Sequence, residues 1–330
     1  MTKRLLAYGT MLLMIFTLYA CSQGESPVNK LKEPANSSEE NNEQVEEILA
    51  MKDLAIPDLI ALLSEEMEND PEKSKQQWSA KVTAMNILSE LKAEEALPVL
   101  KAMLETSDSV SAINNSARTI GRIGGENAFI ILDQVLSNTQ NSMYTFNNER
   151  RKAVIAALGL CENRKAVPLL MEELENRSND LMLQIYAGGS LALLGRNDGL
   201  PVVTEALSSD DGNIRLAATR ALGLIGAQSS VSSLNSLTKS ENKYIYRKAA
   251  RLSLIQIEEK NLTADKKTAY IREQLIRNHG LTEILQWGTL RLKKINTNDS
   301  KNALLNLSGL SSPDSAALKH AAKMRLMTME

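Results

Sequence analysis

One short apolar string recurs six times in this chain. It reads ILSELK (87–92), TIGRIG (119–124), ALGLCE (157–162), SLALLG (190–195), ALGLIG (221–226) and SLIQIE (253–258). Successive strings end 31 to 38 residues apart. Four residues after each of the first five ends comes a second string of A-x-P-x-L type: ALPVL from Ala96, AFIIL from Ala128, AVPLL from Ala166, GLPVV from Gly199 and SVSSL from Ser230. An earlier copy, AIPDL, starts at Ala55. A chain that repeats one unit at this period buries each unit against its neighbours rather than around one central core.

The spacing inside the unit is helical. One column holds Leu88, Ile120, Leu158, Leu191, Leu222 and Leu254, and a second, three residues on, holds Leu91, Ile123, Cys161, Leu194, Ile225 and Ile257. The position before the first column is mostly small: Ile87, Thr119, Ala157, Ser190, Ala221 and Ser253. Large apolar residues at i and i+3 beside small ones describe a helix packed closely on others. In strings such as AVPLLMEELEN a Pro sits near the start, where a missing N–H costs little. No strand-like alternation of useful length interrupts the pattern. The sequence therefore predicts an all-α fold, an α-solenoid of about six to eight helical hairpins. Its repeats span 45–260, and 261–330 form divergent helices that cap the array. An aromatic content of only 4% suits a core of Leu, Ile and Ala.

These units resemble HEAT repeats, especially the short bacterial HEAT-like type. The best copy is DGNIRLAATRALGLIGAQSSVSSLNSL, residues 211–237. Asp211 and Arg215 match the family's acidic and basic positions, which the resemblance implies bridge adjacent repeats. Gln184 and Ile113 stand in the Arg place elsewhere, and Ser109 and Lys243 in the Asp place, so that ladder is patchy.

The N-terminus carries a separate signal. Lys3 and Arg4 precede an uncharged, mostly apolar run over 5–20 that ends in Ala20. The run is short for a membrane span, which needs about 20 apolar residues, and its flanks suit a cleaved leader. Leu18-Tyr19-Ala20-Cys21 resembles the bacterial lipobox, which implies a signal peptide over 1–20 and a diacylglyceryl group on Cys21. Residues 21–44, rich in Ser, Asn, Glu and Pro, read as a flexible lipid-anchored linker. The expected location is the bacterial cell envelope: the outer membrane facing the periplasm where there are two membranes, and otherwise the outer face of the cell membrane. Cys161, the other cysteine, falls in the apolar run AVIAALGLC and reads as a buried thiol.

Searches for chemistry find little. The two histidines, His279 and His320, lie in the divergent tail without a ligand-spaced partner. Gly121, Gly124 and Gly125 lack the strand and the Lys-Ser/Thr of a phosphate loop. The expectation is no catalytic residue, no metal, no cofactor and no enzymatic activity. Some proteins with this repeat type are bilin lyases, which attach pigments to cysteine, but only the repeat itself points there. A net charge of −2 gives no overall phosphate-binding surface, so no nucleic-acid partner is expected.

Binding remains. The position two before the first apolar column holds Asn86, Arg118, Ala156, Gly189, Arg220 and Leu252, and the position after it holds Ser89, Gly121, Gly159, Ala192, Gly223 and Ile255. Read as a groove, Gly159 and Gly189 form a floor of small residues, with Arg118 and Arg122 on one side and Arg220 and Arg251 on the other, for a protein or peptide partner. Read as packing, the same small residues permit tight superhelical curvature. A second candidate is the long connection over 137–149, where Tyr144 and Phe146 either stand exposed for binding or tuck back onto the adjacent helix. The function expected is a membrane-anchored scaffold binding a protein or peptide. Rival readings are an enzyme or enzyme subunit framed by the repeats, and a lipoprotein that binds a small ligand.

Overall fold

The computed structural model describes residues 26–33, 37–140, 146–176, 180–240 and 244–329. Among them there is no strand. A leading helix α1 (Ser38–Met51) is followed by α2 (Ile56–Ser64) and α3 (Pro71–Leu91), α4 (Leu97–Thr106) and α5 (Val110–Ile123), and α6 (Gly125–Gln140) and α7 (Asn147–Leu160). Then come α8 (Ala166–Glu175) and α9 (Leu181–Leu193), α10 (Leu200–Ala206) and α11 (Gly212–Ile225), and α12 (Val231–Ser240) and α13 (Tyr244–Asn261). The last pairs are α14 (Ala264–Arg277) with α15 (Thr282–Ile295), and α16 (Asn298–Ser308) with α17 (Ala316–Met327). The described chain is thus an all-α solenoid whose hairpins reach the upper end of the expected range.

Local chemistry sets the helix ends. Asp70, Ser109, Asp180 and Asp211 each accept a backbone N–H of the helix they precede, satisfying a donor that the helix itself leaves free. Prolines at 57, 71, 98 and 201 occupy first turns, where no N–H bond is lost. Gly226 ends α11 in the left-handed conformation, φ 79°, which glycine adopts without steric cost.

The column from Leu88 to Leu222 is fully buried, each member 0% exposed. Each such leucine removed from water contributes roughly 1.5–3 kcal/mol. Successive second helices also touch backbone to backbone. A methyl group placed on Gly121 would stand 2.5 Å from the Ala157 carbonyl oxygen, and one on Gly159 would stand 2.6 Å from the Ser190 Cα. Hydroxyls in the small column reinforce the contact: Ser190 donates to the Ile155 carbonyl and Ser253 to the Thr219 carbonyl, each at 2.8 Å.

The Asp–Arg ladder works differently from its expectation. Asp211 caps its own helix, accepting from the Asn213 N–H at 2.7 Å. Arg215 donates to the Ser209 and Asp210 carbonyls at 2.8 and 3.0 Å, covering the connection within its own hairpin. Its reach to the next repeat is to the Tyr246 ring, 5.8 Å from the guanidinium carbon. Lys81, at the equivalent position of α3, likewise covers the connection within its own hairpin, donating to the Leu63 carbonyl at 3.1 Å. Arg151, at that position of α7, does bridge hairpins, pairing with Glu173 of α8 at 2.7 Å.

Two regions depart from their sequence reading. Within 21–44, expected as a flexible linker, residues 27–30 form a helical turn and α1 begins at Ser38. Val28 and Leu31 are buried, and Lys32 pairs with Glu65 at 2.5 Å. A polar composition still allows a docked turn when two apolar residues find a cover. The C-terminal helices, in turn, do more than end the array. They carry their own core, which includes Ile271, Leu275, Leu292, Leu304 and Leu318. They also fold back on the first repeats: Met324 and Met327 of α17 pack against the N-terminal core, and Lys323 and His320 meet Glu46 of α1. The solenoid closes on itself.

Candidate functional site

The second helices α3 through α13 pack each on the next, α15 packs on α17, and together they form the inner layer. Four residues after the column that contains Arg118 and Arg220 lies another inner column: Glu90, Arg122, Leu160, Leu193, Leu224 and Gln256. Its first members face the C-terminal helices. The Glu90 side chain is 3% exposed and is held by Arg122, by Arg325 of α17 and by Lys293 of α15, the last at 3.3 Å. Burial opposes the charge on Glu90, but Arg325, Arg122 and Lys293 outweigh it and hold the carboxyl down at about 2. Nearby, Lys294 of α15 pairs with Glu162 at the end of α7. Burial lowers the pKa of Lys92 and Lys293, and neighbouring cations add to the effect. The polar start of the inner column is therefore the seat of ring closure.

The middle of the column, Leu160, Leu193 and Leu224, is apolar and partly open, and its last member, Gln256, is buried. Leu193 is 41% exposed and Tyr186, on the same face of α9, 37%. Leu160 and Leu224 are half-buried. Arg118 and Arg220 flank this strip, both exposed, and no carboxylate among the described residues forms an ion pair with either. Three helix steps of about 8–10 Å each separate the helices that carry them.

The sequence-predicted residues divide accordingly. Arg118 and Arg220 stand on the inner face as expected. Arg122 is committed to Glu90. Arg251 is exposed and donates to the Asn278 side chain at 2.6 Å, tying α13 to the end of α14. Gly159 and Gly189 are a correction: both are buried between helices, Gly159 against Ser190 and Gly189 against Ala221 and Leu224. They serve packing and do not floor a groove. Phe146 takes the second of its two readings: it is half-buried and packs on the N-terminal core. Cys21 and Tyr144 lie outside the described residues. Cys161 is buried, and burial raises its thiol pKa, as expected of an inert cysteine. Sequence reasoning missed Glu90, Leu160, Leu193 and Leu224. The signal was present as a column one turn beyond the arginines, in which a Glu and an Arg give way to three leucines.

A family model described as HEAT repeats matches residues 169–255. Comparison with curated proteins gives no match. Among solved structures, the complex of CpcE and CpcF of phycocyanin lyase from Nostoc sp. PCC7120 is 18% identical. It covers 76% of this chain and 94% of its own, with a TM-score of 0.47. Human deoxyhypusine hydroxylase in complex with glycerol is 16% identical, covering 75% and 89%, with a TM-score of 0.35. An engineered protein is 19% identical, covering 71% and 97%, with a TM-score of 0.33. The expectation of a plain non-enzyme is corrected by these neighbours. A lyase complex and a hydroxylase are among them, so a helical-repeat frame does not mark a protein without enzymatic association. No activity is transferred by the likeness.

Proposed function

We propose that this protein is a scaffold of the bacterial cell envelope, anchored by lipid on Cys21, that binds a protein or peptide along the inner face of its middle repeats. The observation that carries the reading is the exposed strip Tyr186–Leu193, continued by Leu160 and Leu224 and flanked by Arg118 and Arg220. Apolar side chains left open inside a solenoid mark a surface for a partner. Exposed arginines at its ends suit acidic groups on that partner, which each can hold with two parallel hydrogen bonds.

Ser26 donates its hydroxyl to Asp58 of α2 at 2.6 Å, and it lies five residues on from Cys21, with four between them. Such a stretch spans at most about 18 Å, so a lipid on Cys21 holds the first repeats near the membrane surface. Mass spectrometry of the mature N-terminus tests this part: an unmodified terminus beyond Cys21 removes the anchor. For the partner, a photo-crosslinking residue at position 193 is compared in native membranes with one at Leu305, which is exposed on α16. Crosslinks from 193 that Arg118→Glu and Arg220→Glu both suppress support the inner face. Equal crosslinking from 305, or indifference to both arginine changes, refutes it.

A further inference from the structure

At its far end the inner strip leads into a cleft. Between α11 and α13 the helices touch closely, with a methyl group on Gly223 standing 2.7 Å from the Ser253 Cα. Between α13 and α15 the connection is made by long charged side chains instead: Lys248 to Glu283 at 2.9 Å and Arg291 to Glu259 at 2.9 Å. The stack of second helices therefore opens there, leaving a half-open cleft of about 190 Å³. Leu224, Ile245, Ala249 and Leu252 give it apolar walls, and Arg220 stands at its rim.

Size and charge both restrict what fits. Pockets that envelop small-molecule ligands measure about 300–1,000 Å³, so this one is too small for a cofactor-sized molecule and suits a single anchoring side chain. Of its two cations, Lys248 is already paired with Glu283. The Arg220 guanidinium is exposed and forms no ion pair among the described residues, although Glu283 lies within electrostatic reach. The cleft thus offers an apolar hole beside a guanidinium that is in no ion pair among the described residues.

We propose that the cleft is an anchor pocket for an apolar side chain that lies next to a carboxylate, as at the C-terminal residue of a peptide. The apolar walls take the side chain, and Arg220 holds the carboxylate in a charge-assisted pair. The proposal rests on the partner reading only for where the rest of that peptide runs, along the strip toward Arg118.

The test titrates the full chain, methyl-labelled at Leu and Ile, with N-acetyl-leucine and separately with N-acetyl-leucinamide. The expected result is saturable shifts at Leu224, Ile245 and Leu252 with the acid, and roughly tenfold weaker binding of the amide, as for loss of a hydrogen bond to a charged group. Arg220→Gln should bring the acid down to the affinity of the amide, and Leu252→Trp should abolish both by filling the cleft. Equal affinity for acid and amide, shifts confined to other methyls, or no saturable shift with either probe overturns the proposal. Crosslinking from position 193 and its dependence on Arg118 are unaffected by that failure, so the partner reading is judged separately.

Discussion

Replacing Glu90 with Gln removes the carboxylate that joins the two ends of the solenoid. Three cations then face one another in a site whose centre is 3% exposed. The size of the effect follows from the depressed carboxyl, held at about 2 against an ordinary 4.5. At about 1.4 kcal/mol for each tenfold change, that difference stabilises the folded state by about 3 kcal/mol at neutral pH. Breaking a buried ion pair from one side costs about 3–5 kcal/mol on independent grounds, so the two routes agree. The sign in pH also follows. A carboxyl depressed by folding contributes its full stabilisation above the unfolded value, and the contribution is lost as pH falls from about 4.5 toward about 2. Urea unfolding at pH 7 measures the total. Native-state hydrogen exchange locates it, because the loss should accelerate exchange in α15 and α17 more than in α9. Replacing Glu90 and Arg325 together with Leu and Met should recover much of the stability, since Arg122 and Lys293, whose side chains are 24% and 19% exposed, can then turn to water. A Glu90→Gln shift below about 0.5 kcal/mol, or equal acceleration across the array, refutes the closure argument.

The glycines separate by their surroundings. Gly121→Ala should destabilise by about 1–3 kcal/mol, because its methyl meets a backbone oxygen at 2.5 Å. Gly189→Ala, whose methyl finds its nearest neighbour at 3.5 Å, should instead stabilise by up to about 1 kcal/mol through helix propensity. Thermal melts of both variants decide the point, and equal signs would contradict it. Exchange of charge across the seam gives a third check: Glu46→Lys and Lys323→Glu should each speed hydrogen exchange in α17, and the double variant should restore it. Cys161 should resist a thiol reagent in the native protein and react on unfolding; rapid native labelling would show that the thiol is not sealed in the core.

The repeat period, the hairpin unit and the buried columns were legible in the sequence because they are local. Leu88, Ile120, Leu158, Leu191 and Leu222 recur at fixed offsets from the start of the following helix, which Pro98, Pro168 and Pro201 mark in three of the five, and helical geometry alone then puts them on one face. The same rule placed Arg118 and Arg220 on the inner surface. Composition suggested a loose linker over 21–44, yet burial of Val28 and Leu31 depends on a cover that the segment itself does not encode. Gly159 and Gly189 share a small-residue pattern with a groove floor, but only the distance to the next helix shows them to be packing contacts. Nothing in its local sequence marks Glu90. Its partners Lys293 and Arg325 lie more than 200 residues away in the chain, and the curvature that brings them together accumulates over every repeat in between. Periodicity determines which face of each helix is buried. What covers the ends of that face, and where the stack opens into the cleft beside Arg220, is decided by the summed rotation of the whole array.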